Sequence, residues 1–206
     1  MNPLSKLSPR GHNGYELLSA LQKLIRRSME QEALYVFYEM EAMGCYHIAK
    51  NRLMITVYED CGLANPELLN SIPVHISTMD KWYKANNGAW RLVLGNIILM
   101  ACRGKKTRLA DNFVSATAFE MVNGKTYDFN DPKYDFIFDK HTKKGKSMGR
   151  GVEHFFEHAI TIIESEHELC ENQYLELELA NIKEAYSKGN AWELYRQPPK
   201  KDLFTH

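Results

Sequence analysis

Gly14-Tyr15-Glu16-Leu17-Leu18-Ser19-Ala20-Leu21-Gln22-Lys23-Leu24-Ile25-Arg26-Arg27 carries the pattern that decides the fold. Leu17, Leu18, Leu21, Leu24 and Ile25 recur at i, i+1, i+4, i+7 and i+8, which is one apolar stripe of an amphipathic helix. A second helix is predicted from about Glu30, with Ala33, Leu34, Val36, Phe37, Met40 and Met43 apolar and Gly44 placed to stop it. So few residues separate the two that they must fold back as an antiparallel hairpin. Residues 1–13 read as a flexible leader with a turn at Gly11.

The helical period continues downstream. A third helix is expected from about Tyr46 to Cys61, with Ala49, Leu53 and Val57 inward and Gly62 just past its end. In such a helix Arg52 and Glu59 share a side, which predicts a structural ion pair. Asn65-Pro66 is an N-cap followed by proline at the first helical position. Pro73 predicts a kink or restart in that fourth helix. A fifth helix, about Ala89 to Cys102, is the most apolar, and a sixth runs from Leu109 to Val122 before Asn123-Gly124. The period is lost over 125–151 and returns over Val152 to Ser187. No segment alternates with period 2, so the fold class is all-α: a bundle of antiparallel helix hairpins with a long loop near 125–151. The expected organisation is a leader (1–13), a helical domain (14–124), and a basic loop with C-terminal helices (125–206) packed on that domain.

The 206 residues are 44% apolar and 25% charged, with 26 basic and 26 acidic side chains. A chain of this size buries roughly two-thirds of its unfolded surface, enough for a self-sufficient core. Zero net charge means that any polyanionic partner must be read from local patches. Cys45, Cys61, Cys102 and Cys170 form no C-x-x-C pair, which argues against a disulfide framework or cysteine zinc site and fits a reducing cytoplasm. The first ten residues have no apolar core of a signal peptide, and Val93 to Cys102 is too short to span a bilayer. A cytoplasmic location without membrane contact is expected.

Three stretches resemble a known family. They are His12 to Ser28; Ala33-Leu34-Tyr35 with Met40; and Ile48-Ala49, Arg52-Leu53 and Glu59-Asp60-Cys61-Gly62-Leu63-Ala64-Asn65-Pro66. They are similar to the C-terminal region of the replication-associated recombination protein A family (RarA or MgsA, with the Werner helicase-interacting protein as eukaryotic relative), over about residues 12–110. From Asp139 onward the chain looks instead like the tail of short stand-alone proteins that share this domain, some from mobile elements. The resemblance implies an all-helical tetramerisation domain related to clamp-loader collars. In the full-length relatives it accompanies an AAA+ ATPase acting at stalled forks, and that ATPase region is missing from this sequence.

Several motifs bear on chemistry. Gly145-Lys146-Ser147 and Gly124-Lys125-Thr126 have Lys140 and Phe119 where a phosphate loop needs its first glycine. His154-Phe155-Phe156-Glu157-His158 spells H-x-x-E-H, which on a helix puts two histidines on one face with Glu157 as a general base. His154 and His158 are therefore weak metal candidates, and an amphipathic helix explains the same letters. Arg103, Lys105, Lys106 and Arg108 form one basic cluster, and Lys140, Lys143, Lys144, Lys146 and Arg150 form a second that contains no acid. The second has Gly145, Gly149 and Gly151 beside it, which would let backbone N–H groups approach phosphate. Both clusters are candidate nucleic-acid contacts, with a solvated loop as the alternative. The acidic run Glu164 to Glu178 reads as a solvated helix face. Tyr35, Phe37, Tyr38, Trp82, Tyr83 and Trp90 read as core or subunit packing.

The expected function is a non-catalytic helical oligomerisation and interaction module of DNA replication or recombination repair. No cofactor is expected. The expected partners are copies of itself (tetramer favoured over dimer), DNA, and a replication or repair ATPase. One alternative is a mobile-element factor that binds a host replication ATPase. A second is a zinc-dependent hydrolase using His154 and His158.

Overall fold

Asn13 begins the first helix by accepting, at its side-chain oxygen, the backbone N–H groups of Tyr15 (2.9 Å) and Glu16 (3.3 Å). In the computed structural model, which describes residues 3–190, this helix is α1 (Gly14–Arg26). Ser28 ends it in the left-handed region (φ 59°), and its hydroxyl donates to the Cys102 carbonyl at 2.6 Å. α2 (Glu30–Ala42) and α3 (Tyr46–Thr56) follow across short turns, and α1 packs on both. α4 (Pro66–Lys84) packs on α5 (Trp90–Arg103) as a second hairpin. The remaining helices are α6 (Leu109–Val122), α7 (Lys143–Ser147), α8 (Val152–His154) and α9 (Leu175–Ser187). Among the described residues there is no strand, only an isolated bridge between Leu7 and Asn13. The all-α reading holds.

Two compact units divide the chain. The first comprises residues up to Thr117 together with Leu169–Ile182; the second comprises Ala118–Glu168 and residues from Lys183. The first contains the core. The apolar stripe of α1, Leu17, Leu21 and Ile25, is buried there among Phe37, Met40, Leu53, Leu94 and Ile97. Tyr46 stacks on Tyr83 with ring centres 3.6 Å apart, and Trp90 meets Tyr46 edge-on at 5.7 Å. Burial and the neighbouring Asp80 carboxylate push the Tyr46 hydroxyl far above its ordinary value.

Residues 3–13, where a flexible leader was expected, are anchored to the first unit at Leu4, Ser8 and Arg10. Leu4 is buried, the Ser8 hydroxyl donates to Glu39 at 2.6 Å, and Arg10 pairs with the same carboxylate. A Cβ at Gly14 would meet the Leu4 backbone at 2.6 Å, so this close approach needs glycine. Burial works to raise the Glu39 pKa, but the bonds from Ser8 and Arg10 outweigh it and hold the carboxyl below its usual value.

Three sequence expectations need correction. α3 stops at Thr56, and Val57–Cys61 wind as a π-helical turn followed by a 3-10 turn at Gly62–Ala64. The wider turn breaks the 100° step on which the Arg52–Glu59 pairing rested. Glu59 pairs instead with Arg26 (2.6 Å) and Arg108 (2.9 Å), and Arg52 donates to Gln22. Of the kink or restart expected at Pro73, the restart does not occur, since α4 is one helix from Pro66 to Lys84. Finally, the helix expected over Val152 to Ser187 is present only at its ends. Beyond α8 and a π turn (Phe155–Ala159), helix does not resume until Leu175. Ile162 and Ile163 are 89% and 88% exposed, so their period has nothing to bury against. The β-branched run Ile160 to Ile163 and the like charges at Glu164, Glu168 and Glu171 disfavour a helix without such packing.

Candidate nucleic-acid interface

The segment between α5 and α6 holds the first basic cluster, and most of its charge is already engaged. Arg103 grips Glu30 with two bonds, of 2.7 and 3.0 Å. Lys106 donates to the Cys102 carbonyl (2.6 Å) and to the Ser28 hydroxyl (3.0 Å). Arg108 bonds Glu59, Asp60 and Asp111. Lys105 is exposed, and its side chain has no partner among the described residues. The cluster therefore ties the loop to Ser28, to the start of α2 and to the π turn.

Asp60 is the hub of that closure. It is 2% exposed and accepts from Gln22 (3.2 Å), Arg26 (2.7 Å) and Arg108 (2.8 Å). The Thr107 N–H donates to its backbone carbonyl at 2.9 Å. A cavity of about 480 Å³ opens above it, lined by Arg26, Lys106, Arg108, Asn112 and Asn172 among others. Burial, and then the nearby Glu59 and Asp60 charges, raise the Asp111 carboxyl against the pull of Arg108. Arg26 and Asp60 were missed as site residues. Their signal was faint, because one arginine of the Arg26-Arg27 pair and one acid of the Glu59-Asp60 pair look like solvated surface.

The second basic cluster lies in the second unit. Thr142 caps α7 by accepting the Gly145 N–H at 3.0 Å. Arg150 is bound to the Asp135 carboxylate (2.6 and 2.7 Å) and to the Phe138 carbonyl (2.8 Å). Lys144 donates to Asn130 at 2.7 Å and lies 3.8 Å from the Phe138 ring centre, and Lys140 lies 4.5 Å from that of Phe155. The side chains of Lys143 and Lys146 are exposed and have no partner among the described residues. Two of the three glycines act differently from the expectation. The Gly145 and Gly149 N–H groups are bonded within the loop, to Thr142 and to the Lys146 carbonyl, so they are not open to phosphate. A Cβ at Gly145 would collide with the Asp139 backbone, which fixes glycine there for space.

His154 and His158 lie with ring centres 4.9 Å apart, and Glu157 is 3.9 Å from His158. Among the described residues no group of three or more His, Cys, Asp or Glu side chains is arranged to hold a metal ion. Gly145-Lys146-Ser147 falls in the five-residue α7, and Gly124-Lys125-Thr126 follows the end of α6. Cys45, Cys61 and Cys102 are free and buried, Cys170 free and exposed. Among the described residues no helix is long and apolar enough to cross a membrane.

No family model matches the chain. It is 28% identical over 148 residues to the replication-associated recombination protein A of Bacillus subtilis (strain 168), an alignment covering 72% of this chain and 34% of that protein. The chain thus spans about a third of the length of the curated relative it matches. The resemblance read from the motifs between His12 and Pro66 holds across most of the chain, which is related in sequence to replication-associated recombination protein A.

Proposed function

We propose that the chain is a non-catalytic helical module of DNA replication or recombination repair, which self-associates through its bundle and contacts nucleic-acid phosphates through residues 140–150. The observation that carries the reading is apolar surface left open on a bundle whose core is otherwise closed. Ile55 and Tyr58 on one side and Val114 on α6 are exposed around a groove of about 380 Å³. Leu92 and Leu99 form a second exposed stripe on α5. Surfaces of this kind usually close into symmetric assemblies. The relative named above supports the setting in replication and recombination.

Light scattering at micromolar concentration and moderate salt tests it. A dimer or tetramer is expected, tetramer favoured, and Ile55→Glu with Val114→Glu should shift it to monomer while helicity is retained. A monomeric wild type would refute self-association. A host replication ATPase whose assembly state changes on addition of the chain would favour the mobile-element reading instead.

A further inference from the structure

The second unit turns aromatic rings outward and sets ammonium groups over them. Lys125 lies 5.4 Å from the Tyr127 ring centre and Lys133 5.0 Å from that of Tyr134, in addition to the Lys140 and Lys144 contacts described above. Four of the seven contacts of this type among the described residues lie within 125–155. Tyr127 and Phe129 are 51% and 53% exposed. Their ring centres are 6.4 Å apart, their planes are 20° from parallel, and Phe129 meets Tyr134 edge-on at 5.3 Å. The Lys144–Asn130 bond holds α7, with Lys143 and Lys146, against the turn that follows Phe129.

Half-exposed flat rings beside unpaired lysines match a ligand that offers both flat faces and phosphates. Duplex DNA offers phosphates but hides its base faces within the stack, whereas a single strand exposes both. An acidic protein segment supplies charges for Lys143 and Lys146 but not a run of flat faces repeating along a chain of phosphates, which is what neighbouring exposed rings and lysines match. We propose that residues 125–150 bind single-stranded nucleic acid, with bases stacking on Tyr127 and Phe129 while Lys143 and Lys146 neutralise adjacent phosphates. This deepens the nucleic-acid part of the function proposed above by naming its ligand class. Every base has a π face, so little sequence preference is expected.

The test is fluorescence anisotropy of the full chain with three labelled probes of equal length: oligo-dT, a duplex, and a strand of abasic sites. Wild type should bind oligo-dT more tightly than the other two. Tyr127→Ala with Phe129→Ala should weaken oligo-dT binding about ten-fold to a hundred-fold and leave duplex and abasic binding unchanged. Phe129→Trp should retain it. Both rings are exposed, so circular dichroism should show an unchanged fold. Equal binding of oligo-dT and duplex by wild type, or wild-type affinity in the double alanine variant, overturns the proposal. In either case, a loss on Lys143→Ala with Lys146→Ala leaves the phosphate contact standing. If the wild type binds no probe, both nucleic-acid readings fall and self-association is judged by light scattering alone. If no probe binds and the alanine pair changes the assembly mass, the rings form a protein surface and the proposal is overturned.

Discussion

The two basic clusters differ in what surrounds them. Arg103 to Arg108 lie beside the buried carboxylates of the first unit, and three of the four cations are spent on intramolecular bonds. Lys140 to Arg150 lie in a unit where Phe119 and Ala185 are the only buried apolar side chains among the described residues. Among the described residues, Arg150 alone of the five pairs with an acid. Similar stretches of sequence therefore do opposite things. Where helices bury acids, Arg103 and Arg108 become structure; where little is buried, the Lys143 and Lys146 side chains stay exposed.

The sharpest test of this contrast is the core itself. Phe37→Ala removes a fully buried ring that contacts Tyr46 and Trp90 and should cost about 3–5 kcal/mol in urea unfolding. Phe156→Ala, at a ring 62% exposed in the second unit, should stay within about 0.5 kcal/mol. Equal losses would mean that the second unit has a core of comparable weight.

Asp60→Ala should come next, at about 2–3 kcal/mol, because it leaves Arg26 and Arg108 facing each other over a buried gap. Partial exposure of both arginines keeps the effect below that of a fully buried pair. Arg103→Ala, at an exposed pair, should not move the unfolding midpoint measurably.

A smaller effect should appear with pH. The folded pKa of Glu39 lies below its ordinary 4.5, so its stabilisation is complete above 4.5 and is lost as pH falls through the folded value. Unfolding midpoints taken from about pH 6 down to about pH 3 should drop less steeply in Glu39→Gln than in wild type, from a lower starting point. An identical slope would mean that the Ser8 and Arg10 bonds do not hold the charge.

The smallest stability effect is expected from replacing Lys143, Lys144 and Lys146 together with alanine, since among the described residues only the Lys144 side chain makes a contact. The unfolding midpoint should stay put. Binding to DNA should weaken, and its salt slope, about −0.9 per phosphate on duplex, should flatten by roughly two to three units. Charge removal at Lys105 and Arg103 is the control. If it flattens the slope instead, the first cluster is the contact despite its internal bonds.

The sequence by itself determined the helices wherever an apolar stripe had a partner. Leu17, Leu21 and Ile25 repeat at helical spacing and are buried, and Asn65-Pro66 starts α4 with the Asn65 side chain accepting the Leu68 N–H. A local period and a local cap are sufficient there, because both act within a few residues. Tertiary structure decided the rest. The π turn at Val57–Cys61 rotated Glu59 from Arg52 to Arg26 and Arg108, and which acids lie near Arg103 to Arg108 depends on how α1, α2 and that turn meet. The period in Ile162 and Ile163 is as clear in the sequence as that of α1, yet no helix forms, because periodicity becomes structure only where packing removes the stripe from water.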